Sequence, residues 1–230
     1  MDIAHSVILI TAAGSPLGKA IALHFASLGA KLALIDVRKQ ALEQTLLACK
    51  TTGSPCQSYL IPCHDEASIA AMINSVHHHY GRIDVLLNCW VGSALPSLLS
   101  PTSVDQFRRT MTDAVTPFFI FGKQTAHYMR DQRSKGVIIN LAINGGNEQQ
   151  SINSESKAVV SGLTQSWAKE LAEFNIRVGG VVPLIIENID NPSDSSPLLS
   201  FPLQYEVIRS AEYIVANDYF NGRMIEAEVS

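Results

Sequence analysis

The stretch Val7-Ile-Leu-Ile10-Thr11-Ala-Ala-Gly14-Ser15-Pro16-Leu17-Gly18-Lys19-Ala20 decides how the rest of the chain is read. Its first four residues are apolar and β-branch-rich, too few for a helix, and predict a strand. From Leu17 onward apolar residues fall at helical spacing: Leu17, Ile21, Phe25 and Leu28 share one stripe, and Gly29 is the stop. Ser15 suits an N-cap, and Pro16 suits the first helical position. A glycine-bearing turn between a strand and a helix is a nucleotide site for a physical reason. Free backbone N–H groups and the positive end of the helix dipole converge there on a pyrophosphate.

The same alternation runs outward to both ends. Lys31–Ile35, Val85–Leu87, Val137–Leu141 and Val178–Val182 read as further strands, continuous in apolar residues as strands buried on both faces are. Between them lie helical stretches at Ala41–Lys50, at Ala67–Tyr80 (closed by Gly81), over a long span from about Val104 to Arg130, and around Lys157 and Trp167. Strands alternating with helices imply right-handed crossovers and a parallel sheet covered on both faces. Asn188 to about residue 203, with its prolines and serines, reads as a lid or surface loop, since too little chain follows for a second domain. Residues 1–230 are therefore expected to form one domain.

Composition narrows the function classes. With 47% apolar and 17% charged residues, an ample core is available. A formal charge of −4 gives no electrostatic reason to expect nucleic acid or an acidic membrane surface as partner. The four cysteines (Cys49, Cys56, Cys63, Cys89) show no CxxC spacing and read as reduced thiols of a cytoplasmic protein. No basic segment precedes an apolar run at the start, and no apolar run approaches the ~20 residues a membrane helix needs. His77-His78-His79 cannot chelate together, because adjacent helical residues point about 100° apart, so no metal site is expected there.

The turn and several later segments resemble the short-chain dehydrogenase/reductase family, whose turn reads TGxxxGxG. Thr11 and Gly18 match, and Ala12 and Pro16 replace the first two glycines. Ala12 reads as a mild change, whereas Pro16 removes an N–H and adds ring atoms where the phosphates approach. Gly81-Arg-Ile-Asp-Val-Leu-Leu-Asn88 is similar to "GRIDVLVNNAG", although Cys89 and Trp90 follow in place of Asn and Ala. Asn175-Ile-Arg-Val178 and Pro183 match "NIRVNxVxPG", and Asn221–Glu226 resembles the last strand. The resemblance implies a Rossmann-type doubly wound parallel sheet of about seven strands. It also implies cofactor contacts at Thr11, Gly14, Ser15, Leu17, Gly18, Asp36, Asn88, Lys157 and Pro183. Asp36, closing the second strand, favours NAD over NADP because a carboxylate accepts from the ribose hydroxyls and repels a 2′-phosphate; Arg38 weakens that preference. The adenine-contacting Asp falls on Pro62, and a Thr that contacts the carboxamide falls on Asn188.

The catalytic group of such enzymes comprises a Tyr, a Lys four residues on, a Ser and an Asn. Ser156 and Lys157 match the "YxxSK" segment, but Asn153 stands at the Tyr position, Ala142 or Ile143 at the Ser position and Ala114 at the Asn position. A phenol of pKa ~10 can be drawn towards neutrality by a nearby ammonium, and an amide cannot take its place as an acid. Two readings follow. One is a non-catalytic relative that binds a dinucleotide or other ligand, or pairs with an active homologue. The other is a slow NAD(H)-dependent oxidoreductase with an altered proton donor. The family's assembly helices keep apolar faces here (Phe118–Phe121, and Val159, Val160, Leu163 and Trp167), which implies a homodimer or homotetramer.

Overall fold

The first strand, β1 (Val7–Ile10), lies in the middle of a sheet and is followed by α1 (Pro16–Ser27), as its sequence predicts. The computed structural model describes residues 1–89, 95–142, 154–183 and 201–227, with side chains from residue 204 in the last span. Further strands are β2 (Lys31–Asp36), β3 (Cys56–Leu60), β4 (Val85–Cys89), β5 (Gly136–Leu141), β6 (Ile176–Pro183) and β7 (Met224–Ala227). They form one parallel sheet in the order β3-β2-β1-β4-β5-β6-β7. The reversal of order beside β1 is the doubly wound pattern, in which ligands bind beyond the carboxyl ends of the strands.

Alternation along each strand divides the core. Ile8 and Ile10 point to one face, where they meet Leu17, Ile21 and Phe25 of α1, Leu42 of α2 (Lys39–Lys50) and Val207 and Ile214 of α7 (Phe201–Ala216). Leu9 points to the other face, towards Ile69 and Ile73 of α3 (Glu66–Tyr80), Phe118 and Phe121 of α5 (Thr116–Asp131) and Val160 of α6 (Ser154–Leu171). Each fully buried side chain of this size contributes about 1.5–3 kcal/mol through removal from water.

Three details depart from the sequence reading. The strand β3 was not marked by an apolar run, because it lies at the sheet edge and is only partly buried. The predicted helix Val104–Arg130 is α4 (Val104–Thr110), a π turn at Met111–Val115 and then α5. Pro117 is the cause to hand: without an N–H it leaves a carbonyl of the preceding turn unbonded, and the ladder shifts register. The predicted loop ends earlier than residue 203, because α7 begins at Phe201 and accommodates Pro202 at its second position. The remainder of that loop, Asn188 included, lies outside the described residues.

The matched segment around Arg177 turns out to be a structural tie. Its Nη1 donates to the carbonyls of Ile214 and Phe220 (both 2.9 Å) and its Nη2 to that of Val215 (3.0 Å), so one guanidinium fastens the end of α7 to β6. Asn221 Oδ1 accepts from the Val178 N–H at 2.8 Å. Arg177→Met, which keeps the stem and removes the donors, should cost about 2–4 kcal/mol. At about 2–4 °C per kcal/mol for a chain of this size, thermal melting should read a loss of roughly 4–16 °C. A loss under about 1 °C would show the three bonds to be energetically idle.

Candidate nucleotide site and catalytic edge

Because all strands run the same way, the carboxyl ends of β1, β4, β5 and β6 lie at one edge. The turn after β1 is held from several sides. The N–H groups of Thr11 and Ala13 donate to the carbonyls of Leu87 (3.1 Å) and Ile35 (2.9 Å). Thr45 of α2, fully buried, donates its hydroxyl to the Ala13 carbonyl at 2.9 Å. Nothing in the sequence reading singled out Thr45, although a Thr between Leu42 and Cys49 on the buried stripe of α2 is the signal that marks it.

Ser15 caps α1 as predicted, its Oγ accepting from the Gly18 N–H at 2.9 Å, and Pro16 occupies the first helical position. With Gly18 engaged and Pro16 lacking an N–H, the first turn retains the Leu17 N–H, which has no partner among the described residues. Gly14 and Gly18 are glycine for steric reasons. A Cβ on Gly14 would lie 2.9 Å from Ala41 Cβ and 3.0 Å from Asp36 Oδ2, and one on Gly18 would collide with the Ala12 carbonyl. Backbone held bare of side chains at a helix start fits a pyrophosphate. Ala12 is less benign than its size suggests, because its φ of 51° lies in the left-handed region that disfavours a Cβ.

Asp36 is buried at the end of β2, and its oxygens face this turn. Oδ2 accepts from the Gly14 N–H at 2.8 Å, and Oδ1 from the Arg38 N–H at 2.8 Å. The Arg38 guanidinium adds Nε to Oδ1 and Nη2 to Oδ2, both at 3.1 Å. Burial pushes the carboxyl pKa up, but the bonds from Arg38 and Gly14 outweigh it and hold the group below the usual carboxylate value. His64, half-buried after β3, faces the same carboxylate; burial lowers its pKa and the Asp36 charge opposes that shift. His64 was missed as a neighbour of Asp36, since nothing local in the sequence ties the end of β3 to that of β2.

At the end of β4 the matched asparagine points inward. Asn88 is fully buried and donates to the Phe118 carbonyl (2.9 Å), with Asn140 Oδ1 at 3.4 Å; Asn140 in turn donates to Thr164 of α6 at 3.0 Å. Its amide nitrogen is committed to joining sheet and helices, while its Oδ1, also buried, has no hydrogen-bond partner among the described residues. Cys89 is buried beside it, its N–H bonded to Thr11 Oγ1 at 2.8 Å and its thiol pushed up to about 12 by burial. Trp90 lies outside the described residues.

At the catalytic edge, Ala142 follows β5, is buried, and donates its N–H to the Val181 carbonyl. Ala114 is buried within the π turn. Ser156 is buried in the first turn of α6, where its Oγ accepts from the Leu95 N–H at 2.9 Å. The next residue, Lys157, is half-buried and forms no ion pair among the described residues. Ile143 and Asn153 lie outside the described residues, and Pro183 closes β6 opposite Ala227. The described part of the edge thus holds Lys157 at the head of α6, with buried alanines at the end of β5 and in the π turn. Among the described residues no cluster of metal-binding side chains exists, and no helix is long and apolar enough to cross a membrane.

Two predictions come from this geometry. Ala12→Gly should stabilise the protein by about 0.5–1 kcal/mol, since relief of the left-handed Cβ exceeds the added freedom of the unfolded chain. Calorimetry should then read a melting temperature higher by roughly 1–4 °C. The second concerns pH. Asp36 has a depressed folded pKa, so its stabilisation is fully present above the unfolded value of about 4 and is lost as pH falls through the lower folded value. Arg38→Met should therefore melt about 2–6 °C below the parent at neutral pH, and the gap should narrow below about pH 4. A gap constant from pH 7 to pH 3 would place its origin elsewhere.

Comparison with known proteins agrees with this arrangement. A model of the family described as short chain dehydrogenase matches residues 6–193. A 3-oxoacyl-[acyl-carrier-protein] reductase of Thermotoga maritima is 33% identical over 189 residues, covering 81% of this chain and 76% of the relative. A levodione reductase of Leifsonia aquatica is 30% identical over 185 residues, 77% of this chain and 68% of the relative. Among solved structures, a short-chain type dehydrogenase/reductase from Mycobacterium marinum superposes with a TM-score of 0.82 at 26% identity, covering 99% of this chain and 95% of that one. A 7α-hydroxysteroid dehydrogenase complexed with NADH and 7-oxo glycochenodeoxycholic acid gives 0.78 at 25% identity, covering 98% and 92%. With the fold, the turn after β1 and Lys157 already in place, these matches make the chain a member of the short-chain dehydrogenase/reductase family of oxidoreductases.

Proposed function

We propose that this chain is a family member that retains a dinucleotide site, has lost the family's proton-transfer chemistry, and serves as an NAD(H)- or ligand-binding subunit of an assembly. The observation that carries the reading is the pairing of a retained cation with missing partners. Lys157 stands at the head of α6, while the Tyr, Ser and Asn positions hold Asn153, Ala142 or Ile143, and Ala114. Neither buried alanine has a side-chain atom that can orient or protonate a substrate oxygen.

The dinucleotide part rests on the turn after β1. Thr11, Gly14, Ser15, Leu17 and Gly18 would line the pyrophosphate, with the Leu17 N–H as the donor that the protein itself does not use. Asp36 would take the adenosine ribose, which favours NAD over NADP, and Lys157 the nicotinamide ribose. When bound, such a cofactor supplies hydride transfer, and loss of a general acid costs about 10²–10⁴-fold in rate.

Assembly into a homodimer or homotetramer, or with an active homologue, is supported by the paired face of α5 and α6. Phe119 there is 44% exposed, beside Trp167, Leu171 and Phe174. A second reading, a slow NAD(H)-dependent oxidoreductase acting on a carbonyl/alcohol pair, is favoured by Lys157 itself and by relatives whose names are those of reductases and dehydrogenases.

Titration of the purified protein with NADH and NADPH, followed by nicotinamide fluorescence, is expected to give tighter binding of NADH, without turnover on a panel of carbonyl substrates. Turnover abolished by Lys157→Ala would overturn the non-catalytic reading in favour of the second. Failure of both nucleotides to bind would remove the dinucleotide site from either.

A further inference from the structure

The carboxylate at the end of β2 is fully occupied by its own chain. A carboxylate offers about four lone-pair positions, and Asp36 has four donors: the N–H groups of Gly14 and Arg38, both at 2.8 Å, and Nε and Nη2 of Arg38, both at 3.1 Å. The four differ in their freedom to leave. The Gly14 N–H is fixed by the turn after β1, which Thr45, Ile35 and Leu87 hold in place. The Arg38 N–H is fixed by the backbone entering α2. The guanidinium sits on a flexible stem with its side chain 43% exposed, over a carboxylate 3% exposed. A ribose with free 2′ and 3′ hydroxyls needs two acceptor positions, and only the two held by the guanidinium can be vacated.

We propose that Arg38 is an internal competitor for the ribose diol, closing Asp36 until it rotates away and so setting both the affinity and the discrimination of the site. This rests on the dinucleotide reading above and adds a specificity-determining residue to it. A ligand whose binding-competent state is only fractionally populated binds more weakly in proportion to that fraction. Both the internal fork and the diol contact are hydrogen bonds to an ionised carboxylate, so the exchange is close to balanced and the penalty is modest.

The test is direct binding of NADH and NADPH to the parent, to Arg38→Met (stem kept, donors removed) and to Arg38→Lys (charge kept, fork removed), with melting curves to establish folding. NADH should bind Arg38→Met about three- to tenfold more tightly than the parent, with a smaller gain for Arg38→Lys. Binding of NADH to Arg38→Met where the parent binds none would support the same conclusion in its extreme form. If the parent binds NADH and Arg38→Met binds it equally or more weakly, Arg38 is no competitor, and the dinucleotide reading survives without it. If Arg38→Met loses NADPH while NADH is unmoved, Arg38 is a 2′-phosphate ligand and the proposal falls. If no protein of the three binds either nucleotide, the proposal and the reading beneath it fall together. Should Arg38→Met not fold, Arg38→Lys decides the question by the sign of its change.

Discussion

The backbone of the turn after β1 passes so close to its neighbours that side chains are excluded on two sides, and the rest of the carboxyl edge is arranged around that approach. Gly18 lies against the Ala12 carbonyl, and Gly14 against α2 and the Asp36 carboxylate. Close approach lets Ser15 cap α1 and lets Asp36 reach across from β2 to bond the Gly14 N–H. The same crowding forces Ala12 into a left-handed conformation, a strain the surrounding bonds from Leu87, Ile35 and Thr45 must hold. Turn, Asp36 carboxylate and the start of α1 are therefore one mechanical unit, and a change at any of them is felt at the others.

The opposite end of the edge carries apolar side chains without disturbing that unit. Ala142 and Ala114 are buried and apolar where the family resemblance calls for Ser and Asn, yet β5 pairs normally on both sides and the π turn persists around Ala114. Ser156 and Lys157 remain in register at the head of α6, with Ser156 serving the packing of the segment that follows β4. Fold and chemistry are separable because they draw on different residues. The sheet needs apolar strands and bonded backbone, whereas proton transfer needs a few groups of tuned acidity that contribute little to packing.

Legibility followed the same division. The five apolar runs became five strands because both their faces are buried, so periodicity and burial said the same thing. The edge strand β3 escaped because a partly buried strand has no continuous apolar run. Ser15 and Pro16 marked the start of α1 correctly, because capping is local chemistry. The inward bond of Asn88 was not readable, since it depends on where distant segments meet; the Arg38 fork joins residues only two apart, but which way that side chain turns is not written in the sequence. The substitution at Ala12 looked small by volume and proved large by backbone angle, a quantity that no side-chain list contains.

The order of the strands across the sheet has a kinetic side. Along the chain β1 is made first, yet it pairs with β2 on one side and with β4 on the other, so that Ile8 awaits Val85. Until that distant strand arrives, the most apolar stretch of the protein has one unpaired edge and only part of its cover. Closing such a gap requires a long loop to be fixed before any pairing rewards it, which slows the search and prolongs exposure of a sticky intermediate. During synthesis, the N-terminal half must therefore wait, partly assembled, for the strand that completes its centre.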